Sequence, residues 1–329
     1  MKFETYTRRW RPAELPRRPN NGKPANGAAR PIVRFAPSPN GPLHLGHALS
    51  ALLNFDMAQS LGGRFLIRIE DIDLTRTREE HITGIFDDLA WLGLSWEEPV
   101  LRQSEHFTTY QAAAHTLVKL GLLYPCFATR TEIAGASTHA PSARDPDGAP
   151  LYPGLHKRLA KEEIAARMAR NEPFALRLDM DQALDVLELR TNARRVTFTE
   201  LDDDGTPHEI EADPAVWGDA VIVRKDTPTS YHLACVVDDA RQDITHVVRG
   251  QDLYAATGLH RLLQVLLGIH PPVYHHHRLL VGPDGRKLAK SAGARALAEL
   301  RAEGVDPTEV RARVGLEHHE PGIPAEGQS

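Results

Sequence analysis

Between Ile32 and Gly121 the chain alternates short apolar runs with helical periods, and this rhythm constrains the fold more than any other feature. IVRFAP is a strand candidate closed by prolines. HLGHALSALLNFDMAQSLGG follows, with apolar residues at 45, 49, 52, 53 and 57 spaced along one helical face and a stop at Gly62-Gly63. RFLIRIED at 64–71 alternates as a strand does, and REEHITGIFDDLAWLGL at 78–94 returns to helix. HFTTYQAAAHTLVKLG at 106–121 is a further helix, stopped by Gly121. Strand and helix in this order imply βαβ units and a parallel sheet.

The rhythm breaks over residues 126–218. That stretch holds a Pro/Gly/Asp-rich loop (HAPSARDPDGAPLYPG), a basic helix candidate (LHKRLAKEEIAARMARN) and strand candidates FALRLDM and RRVTFTE. From Asp219 the rhythm resumes with DAVIVRKD, YHLACVVDD and ITHVVRG, the second read as an apolar strand, before an apolar helix GLHRLLQVLLG. The expected organisation is an α/β fold: a Rossmann-type nucleotide-binding core in two halves, 30–125 and 219–292, around an inserted α+β, acceptor-like subdomain at 126–218. A short helical C-terminal segment, 293–329, carries an internal break at Val305-Asp306-Pro307. Residues 1–29 carry Lys2, Arg8, Arg9, Arg11, Arg17, Arg18 and Lys23 among prolines and glycines, too polar to order themselves. They read as a disordered, solvated tail, with a basic arm on nucleic acid as the alternative.

Composition narrows the function classes. With 329 residues, 41% hydrophobic and 25% charged, the chain fits a soluble globular protein of about two domains. The richest apolar run, LLQVLLGI at 262–269, is far short of the roughly 18–20 residues of a membrane helix, so no membrane partner is expected. Two cysteines, Cys126 and Cys235, cannot build a disulfide framework, which points to a reducing cytoplasm. A formal charge of −5 gives no global sign of a nucleic-acid binder. Local stretches such as HKRLAK and GRKLAK can still hold phosphates.

Two motifs carry chemistry. In PSPNGPLHLGH at 37–47 a strand ends in a proline-rich turn and a helix opens beside two imidazoles. Unpaired N–H groups at a helix N-terminus seat phosphate. Gly46, with no side chain, lets a flat base approach the backbone, and His44 and His47 can donate to phosphate oxygens. In GPDGRKLAKS at 282–291, Lys287 and Lys290 can swing ammonium groups onto a polyphosphate. Alone, the first could be surface histidines or a metal pair and the second a solvated basic loop. Bracketing an α/β pattern, together they point to a nucleotide. The HHH run at 275–277 is not a metal site, because consecutive residues of a strand alternate faces.

On these motifs the chain resembles the class I aminoacyl-tRNA synthetases, with HLGH for their HIGH signature and KLAKS for KMSKS. RFAPSPNG at 34–41, RIEDID at 68–73, YHLACVVDD at 231–239 and VVRGQDL at 247–253 narrow the resemblance to the glutamyl branch. It runs from about residue 31 to 316. The chain ends soon after Ser291, so no anticodon-binding domain is expected and the resemblance narrows to truncated paralogues, the glutamyl-Q tRNA(Asp) synthetase family.

That resemblance implies a ligase that activates L-glutamate with ATP and Mg²⁺, without tRNA, and transfers it to the queuosine base in the anticodon of tRNA(Asp). It implies a glutamate pocket of Arg34, Ala36, Ser38, Glu70, Tyr231 and Arg249, with His44, Gly46, His47, Lys287 and Lys290 serving ATP. Guanidinium forks suit two carboxylates, and a carboxylate suits an ammonium. Catalytic work would fall to His44, His47, Lys287 and Lys290. A monomer is expected. Leu288 and Ala289 replace Met and Ser of the signature, and Cys235 stands where discriminating glutamyl-tRNA synthetases carry Asn. Some members hold zinc with Cys-x-Cys and Tyr-x-x-x-Cys; here those positions read Cys126, Ala128, Tyr152 and His156, short of four firm ligands, so no zinc is expected. The alternatives are a minimal glutamyl-tRNA synthetase charging tRNA(Glu) and an inactive paralogue that binds tRNA or amino acid.

Overall fold

The computed structural model describes residues 30–136, 143–281 and 295–316. Its first part runs β1 (Ile32–Phe35), α1 (Leu45–Ser60), β2 (Arg64–Ile69), α2 (Glu79–Trp91), β3 (Glu97–Arg102), α3 (Phe107–Lys119) and β4 (Leu123–Cys126). The middle holds α4 (Arg130–Ala136), α5 (Lys161–Ala169), β5 (Ala175–Leu178), α6 (Met180–Thr191), β6 (Val196–Leu201), β7 (Pro207–Ala212) and β8 (Val221–Val223). Then come α7 (Tyr231–Arg241), β9 (His246–Gly250), α8 (Ala256–Leu267), β10 (Val273–His277), α9 (Leu297–Ala302) and α10 (Pro307–Arg313).

The main sheet has the order β3-β2-β1-β9-β10-β6-β7, parallel except for β7 against β6. Its central strands are buried on both faces, as in IVRF and VYHHH, which suits a parallel sheet covered by helices. From β1 the chain steps outward to β2 and β3, whereas β9 leads to β10 on the other side. The β1/β9 pair, registered at Val33↔His246, is therefore the topological switch point. Ligands of open α/β sheets bind outside the carboxyl ends of strands there.

Two large cores hold the layers. One joins Val33, Ile67 and Ile69 to Leu49 and Leu52 of α1, Ile82, Ile85 and Leu89 of α2, and Leu297, Leu300 and Val310 of α9 and α10. The terminal helices are thus part of the core; Leu297 N–H donates to the Leu43 carbonyl, and Arg311 forks onto Asp56. The other core joins α3, α7 and α8 through Leu117, Leu233, Val236, Leu259 and Leu262. Each fully buried Leu or Ile contributes about 1.5–3 kcal/mol.

Three features differ from the sequence reading. YHLACVVDD is a helix, not a strand: the Ser230 hydroxyl caps α7 by accepting from Leu233 N–H, and residues 233–239 are all buried. A helix buried all round loses its polar face, so its pattern cannot be told from a buried strand. The expected basic helix is helical only over Lys161–Ala169. Ahead of it, Lys157 Nζ is held by Asp179 (3.0 Å), Asp181 (2.9 Å) and Asp219 (3.2 Å), pinning that turn to the neighbouring sheet. Residues 126–218 also contribute to both sheets: β6 and β7 extend the main one, while β5 pairs with β4 and β8 in a small antiparallel sheet. Among the described residues no helix is long and apolar enough to cross a membrane.

Candidate active site

A cavity of about 560 Å³ opens at the carboxyl ends of β1 and β9. Arg34, Ala36, Ser38, Glu70, Tyr231 and Arg249 line it together with His44, Gly46 and His47. Lys287, Lys290 and the rest of KLAKS lie outside the described residues. The flanking chain reaches the cavity wall on one side at Leu279 and Leu280, and on the other Ala296 bridges to His44.

The HLGH turn builds its own cap. His44 precedes the first turn of α1 in an extended conformation, and its Nδ1 accepts from Gly46 N–H (3.1 Å). In return His47 Nδ1 accepts from His44 N–H (3.2 Å). Two backbone donors of the helix start are satisfied, and the neutral rings must carry their protons on Nε2. The rings lie 3.9 Å apart. A Cβ on Gly46 would come 2.9 Å from His44 Cε1, so the glycine makes room for this ring; approach of a base is not what the fold itself requires of it.

Beside it lies a buried cluster of charges. Arg34 meets Asp239 through Nε–Oδ1 (3.0 Å) and Nη2–Oδ2 (3.3 Å), and Arg68 reaches Asp239 Oδ1 (2.6 Å) and Glu70 Oε1 (3.0 Å). Asp239 thus bridges two guanidinium groups. Burial alone would raise its pKa, but Arg34 and Arg68 hold the carboxyl well below the usual range. Glu70 is raised, because desolvation outweighs its pairing with Arg68 and Arg34. Cys235 sits among these groups, its Sγ 3.6 Å from both Arg68 Nη2 and Asp239 Oδ2. Burial, reinforced by Asp239, pushes its thiol up to about 12, so it is no nucleophile at neutral pH.

Arg249, only 5% exposed, is held differently. Nε donates to His276 Nε2 (3.0 Å), Nη1 to His260 Nδ1 (3.2 Å) and Nη2 to Thr257 Oγ1 (2.7 Å). Every partner is neutral when the imidazoles are. Among the described residues no Asp or Glu forms an ion pair with it. Tyr231 lines the same wall, and no described residue hydrogen-bonds its hydroxyl.

Sequence reasoning missed Arg68, Asp239, Glu200, Thr257, His260 and His276. For Arg68 and Asp239 a signal existed, since charges inside RFLIRIED and YHLACVVDD must be paired if buried. Among the described residues no group of three His, Cys, Asp or Glu is placed to hold a metal ion.

The degenerate zinc positions form a hydrogen-bonded knot instead. His156 Nδ1 accepts from Phe127 N–H (3.1 Å) and Ala128 N–H (3.0 Å). Tyr152 Oη accepts from His156 N–H (2.8 Å) and lies 3.3 Å from Cys126 Sγ. With Nδ1 occupied, Ala128 unable to ligate and only one thiol, this donor set does not fit a structural zinc.

A parallel sheet with its ligand cavity at the switch point, a histidine-capped helix start and a floor of arginines define a nucleotide-dependent enzyme that handles an anionic substrate. The chain belongs to the family described as tRNA synthetases class I (E and Q), catalytic domain, whose model matches residues 32–318. It is 44% identical over 294 residues to the glutamyl-Q tRNA(Asp) synthetase of Rhodobacter capsulatus, covering 87% of this chain and 100% of that one. It is 40% identical to the protein of the same name from Symbiobacterium thermophilum, covering 84% and 83%. Among solved structures, a glutamate tRNA ligase from Elizabethkingia meningosepticum superposes with a TM-score of 0.66 at 28% identity, covering 80% of this chain. The chain spans 53% of that longer protein. Class I synthetases use ATP with a divalent metal, and the glutamyl branch takes glutamate and tRNA.

Proposed function

We propose that this chain activates L-glutamate with ATP to glutamyl-adenylate, without tRNA, and passes the glutamate to the queuosine base in the anticodon of tRNA(Asp). The charge inventory of the cavity carries the first half of this reading. Among the described buried groups, with Glu70 ionised, Arg34, Arg68, Asp239 and Glu70 cancel, and Arg249 leaves one uncompensated positive charge; the exposed Asp252 and Arg278 at the rim add one charge of each sign. Glutamate, with two carboxylates and one ammonium, brings the matching net −1. Glu70 faces the ammonium, while Arg249, Arg34 and the Tyr231 hydroxyl take the carboxylates.

In the reaction a carboxylate oxygen of glutamate attacks the α-phosphorus. One P–O bond forms, the bond to pyrophosphate breaks, and negative charge gathers on phosphate oxygens. Catalysis of such transfer is positioning and electrostatics. His44 and His47 present Nε2–H donors at the positive end of α1, preset by their caps. Lys287 and Lys290 receive the leaving pyrophosphate, and Mg²⁺ accompanies ATP. A hydroxyl of the modified base then attacks the mixed anhydride, and AMP leaves.

The acceptor assignment is supported by the two relatives named glutamyl-Q tRNA(Asp) synthetase. The glutamate tRNA ligase likeness favours a second reading, charging of tRNA(Glu). Glutamate-dependent ATP–pyrophosphate exchange without tRNA tests the first half, and Lys290→Ala should abolish it. Acceptor assays with tRNA(Glu), tRNA(Asp) and tRNA(Asp) lacking queuosine decide the second. No exchange refutes tRNA-independent activation; charging of tRNA(Glu) refutes the queuosine assignment.

A further inference from the structure

A buried arginine is ordinarily neutralised by a carboxylate, because an unpaired charge in the interior is costly. Arg249 instead ends on two imidazoles and a hydroxyl. An imidazole nitrogen accepts only while it carries no proton, so each ring must keep its proton on the far nitrogen. For His276 that nitrogen is Nδ1, and it lies 2.8 Å from Glu200 Oε2. Glu200 Oε1 also accepts His276 N–H (2.8 Å), so the carboxylate grips both backbone and ring. For His260 the far nitrogen, Nε2, lies 3.1 Å from His232 Nδ1. Glu200 belongs to β6, in the segment that interrupts the sequence rhythm; it closes the strand candidate RRVTFTE and lies outside the motifs that carry chemistry.

We propose that Glu200 is a positioning residue for the substrate carboxylate: by fixing the Nδ1–H tautomer of His276 it orients Arg249 without cancelling Arg249's charge. The proposal rests on the reading of Arg249 as a glutamate-binding residue. A carboxylate directly on the guanidinium would neutralise it and fill the place of the substrate. One imidazole of separation lets Glu200 set the geometry and leave the positive charge to the ligand. Thr257 Oγ1, 3.1 Å from His276 Nε2 and 2.7 Å from Arg249 Nη2, closes the same ring of contacts.

Glu200→Gln tests it. The amide oxygen can still accept His276 N–H, but the amide nitrogen then faces Nδ1 as a donor and moves the ring proton to Nε2. There it opposes Arg249 Nε–H. Loss of one buried hydrogen bond to Arg249 should raise KM for glutamate about tenfold, with KM for ATP unchanged, in ATP–pyrophosphate exchange.

The wild-type pH profile supplies an independent readout. Protonating His276 should likewise raise KM for glutamate and leave KM for ATP flat. The groups facing that ring are Glu200 from β6, Arg249 from β9, Tyr254 ahead of α8, His260 of α8, and Tyr274 and His275 of its own strand. Burial first, then Arg249, lowers its pKa against the pull of Glu200, so the rise falls below the ordinary imidazole range. Wild-type protein without glutamate-dependent exchange overturns the glutamate reading and this proposal with it. Wild-type exchange with a Glu200→Gln variant of unchanged glutamate KM, or with both KM values raised together, overturns the proposal alone. If Glu200→Gln does not fold, Glu200→Asp takes its place: a carboxylate one methylene shorter loses its hold on His276 Nδ1, so a glutamate KM raised alone supports the proposal and an unchanged glutamate KM overturns it.

Discussion

Asp239→Asn isolates the electrostatics of the site. Asp239 is 7% exposed and shares its carboxylate between Arg34, at 3%, and Arg68, at 0%. Removing its charge leaves two buried guanidinium groups with Glu70, on Arg68, as their remaining ion-pair partner among the described residues. Stripping one partner from a buried ion pair costs about 3–5 kcal/mol, a large share of the roughly 5–15 kcal/mol that stabilises a typical fold. The folded pKa of Asp239 is depressed, so its contribution is complete above the unfolded carboxylate range and is lost only as pH falls through the folded value. Near neutral pH the full effect should therefore show as a lowered midpoint of urea unfolding, with the slope unchanged. The decisive variant is Asp239→Asn/Arg34→Met, which removes one charge of each sign and leaves Arg68 paired with Glu70. It should recover about 2 kcal/mol relative to Asp239→Asn, because balanced apolar replacement of buried ions is close to neutral. If the double variant is instead less stable than Asp239→Asn, charge compensation is not what Asp239 supplies and the argument fails.

Two further outcomes follow from the same physics. Burial, then Arg249, pushes the His232 pKa down to about 4, so the folded state resists a proton that the unfolded chain accepts near 6.5. Stability should fall by up to about 3 kcal/mol between pH 6.5 and 4 on this account, and His232→Gln should flatten that part of a pH series of urea midpoints. At the knot, His156→Ala leaves the Phe127 and Ala128 N–H groups without their acceptor and should cost about 1–3 kcal/mol, whereas adding a chelator to the wild-type protein should leave Tm unchanged. A chelator-dependent drop in Tm would show that the knot needs metal after all.

Much of the core was legible because local patterns and tertiary structure agree there. IVRFAP, RFLIRIED and ITHVVRG form strands at the expected places, with the helices at 45–60 and 107–119 beside them. One failure comes from burial on all sides, which erases periodicity. Helix α7 read as a strand for that reason. β6 was recognised as a strand, yet its place beside β10 depends on a contact between residues about 75 positions apart, Glu200 and Tyr274, which no local pattern encodes. The described cavity residues were legible through motif resemblance. Their division of labour was not, because Arg34 and Arg249 look alike in a string of letters.

That division is where the structure adds to the chemistry. A pocket for a diacid could be lined with unpaired arginines, but each would be an expensive buried charge in the empty enzyme. On the proposed assignment, this fold places a carboxylate on the arginine that is structural and withholds one from the arginine that binds substrate. Arg68, fully buried, is tied to Asp239 and Glu70; Arg34 lends Asp239 its Nε and Nη2 edge, and no described residue bonds its Nη1. Of these three buried arginines, Arg249 is the one with only neutral acceptors among the described residues, and each of its imidazole acceptors is itself fixed from behind, by Glu200 or by His232. On the proposed assignment, selectivity for the substrate's charge comes from Glu200, whose carboxylate stands one residue too far away to satisfy Arg249. Moving one into direct contact, as in Thr257→Asp, should abolish glutamate activation while making the protein more resistant to urea. That pairing of outcomes separates a charge reserved for a ligand from one that merely braces the fold.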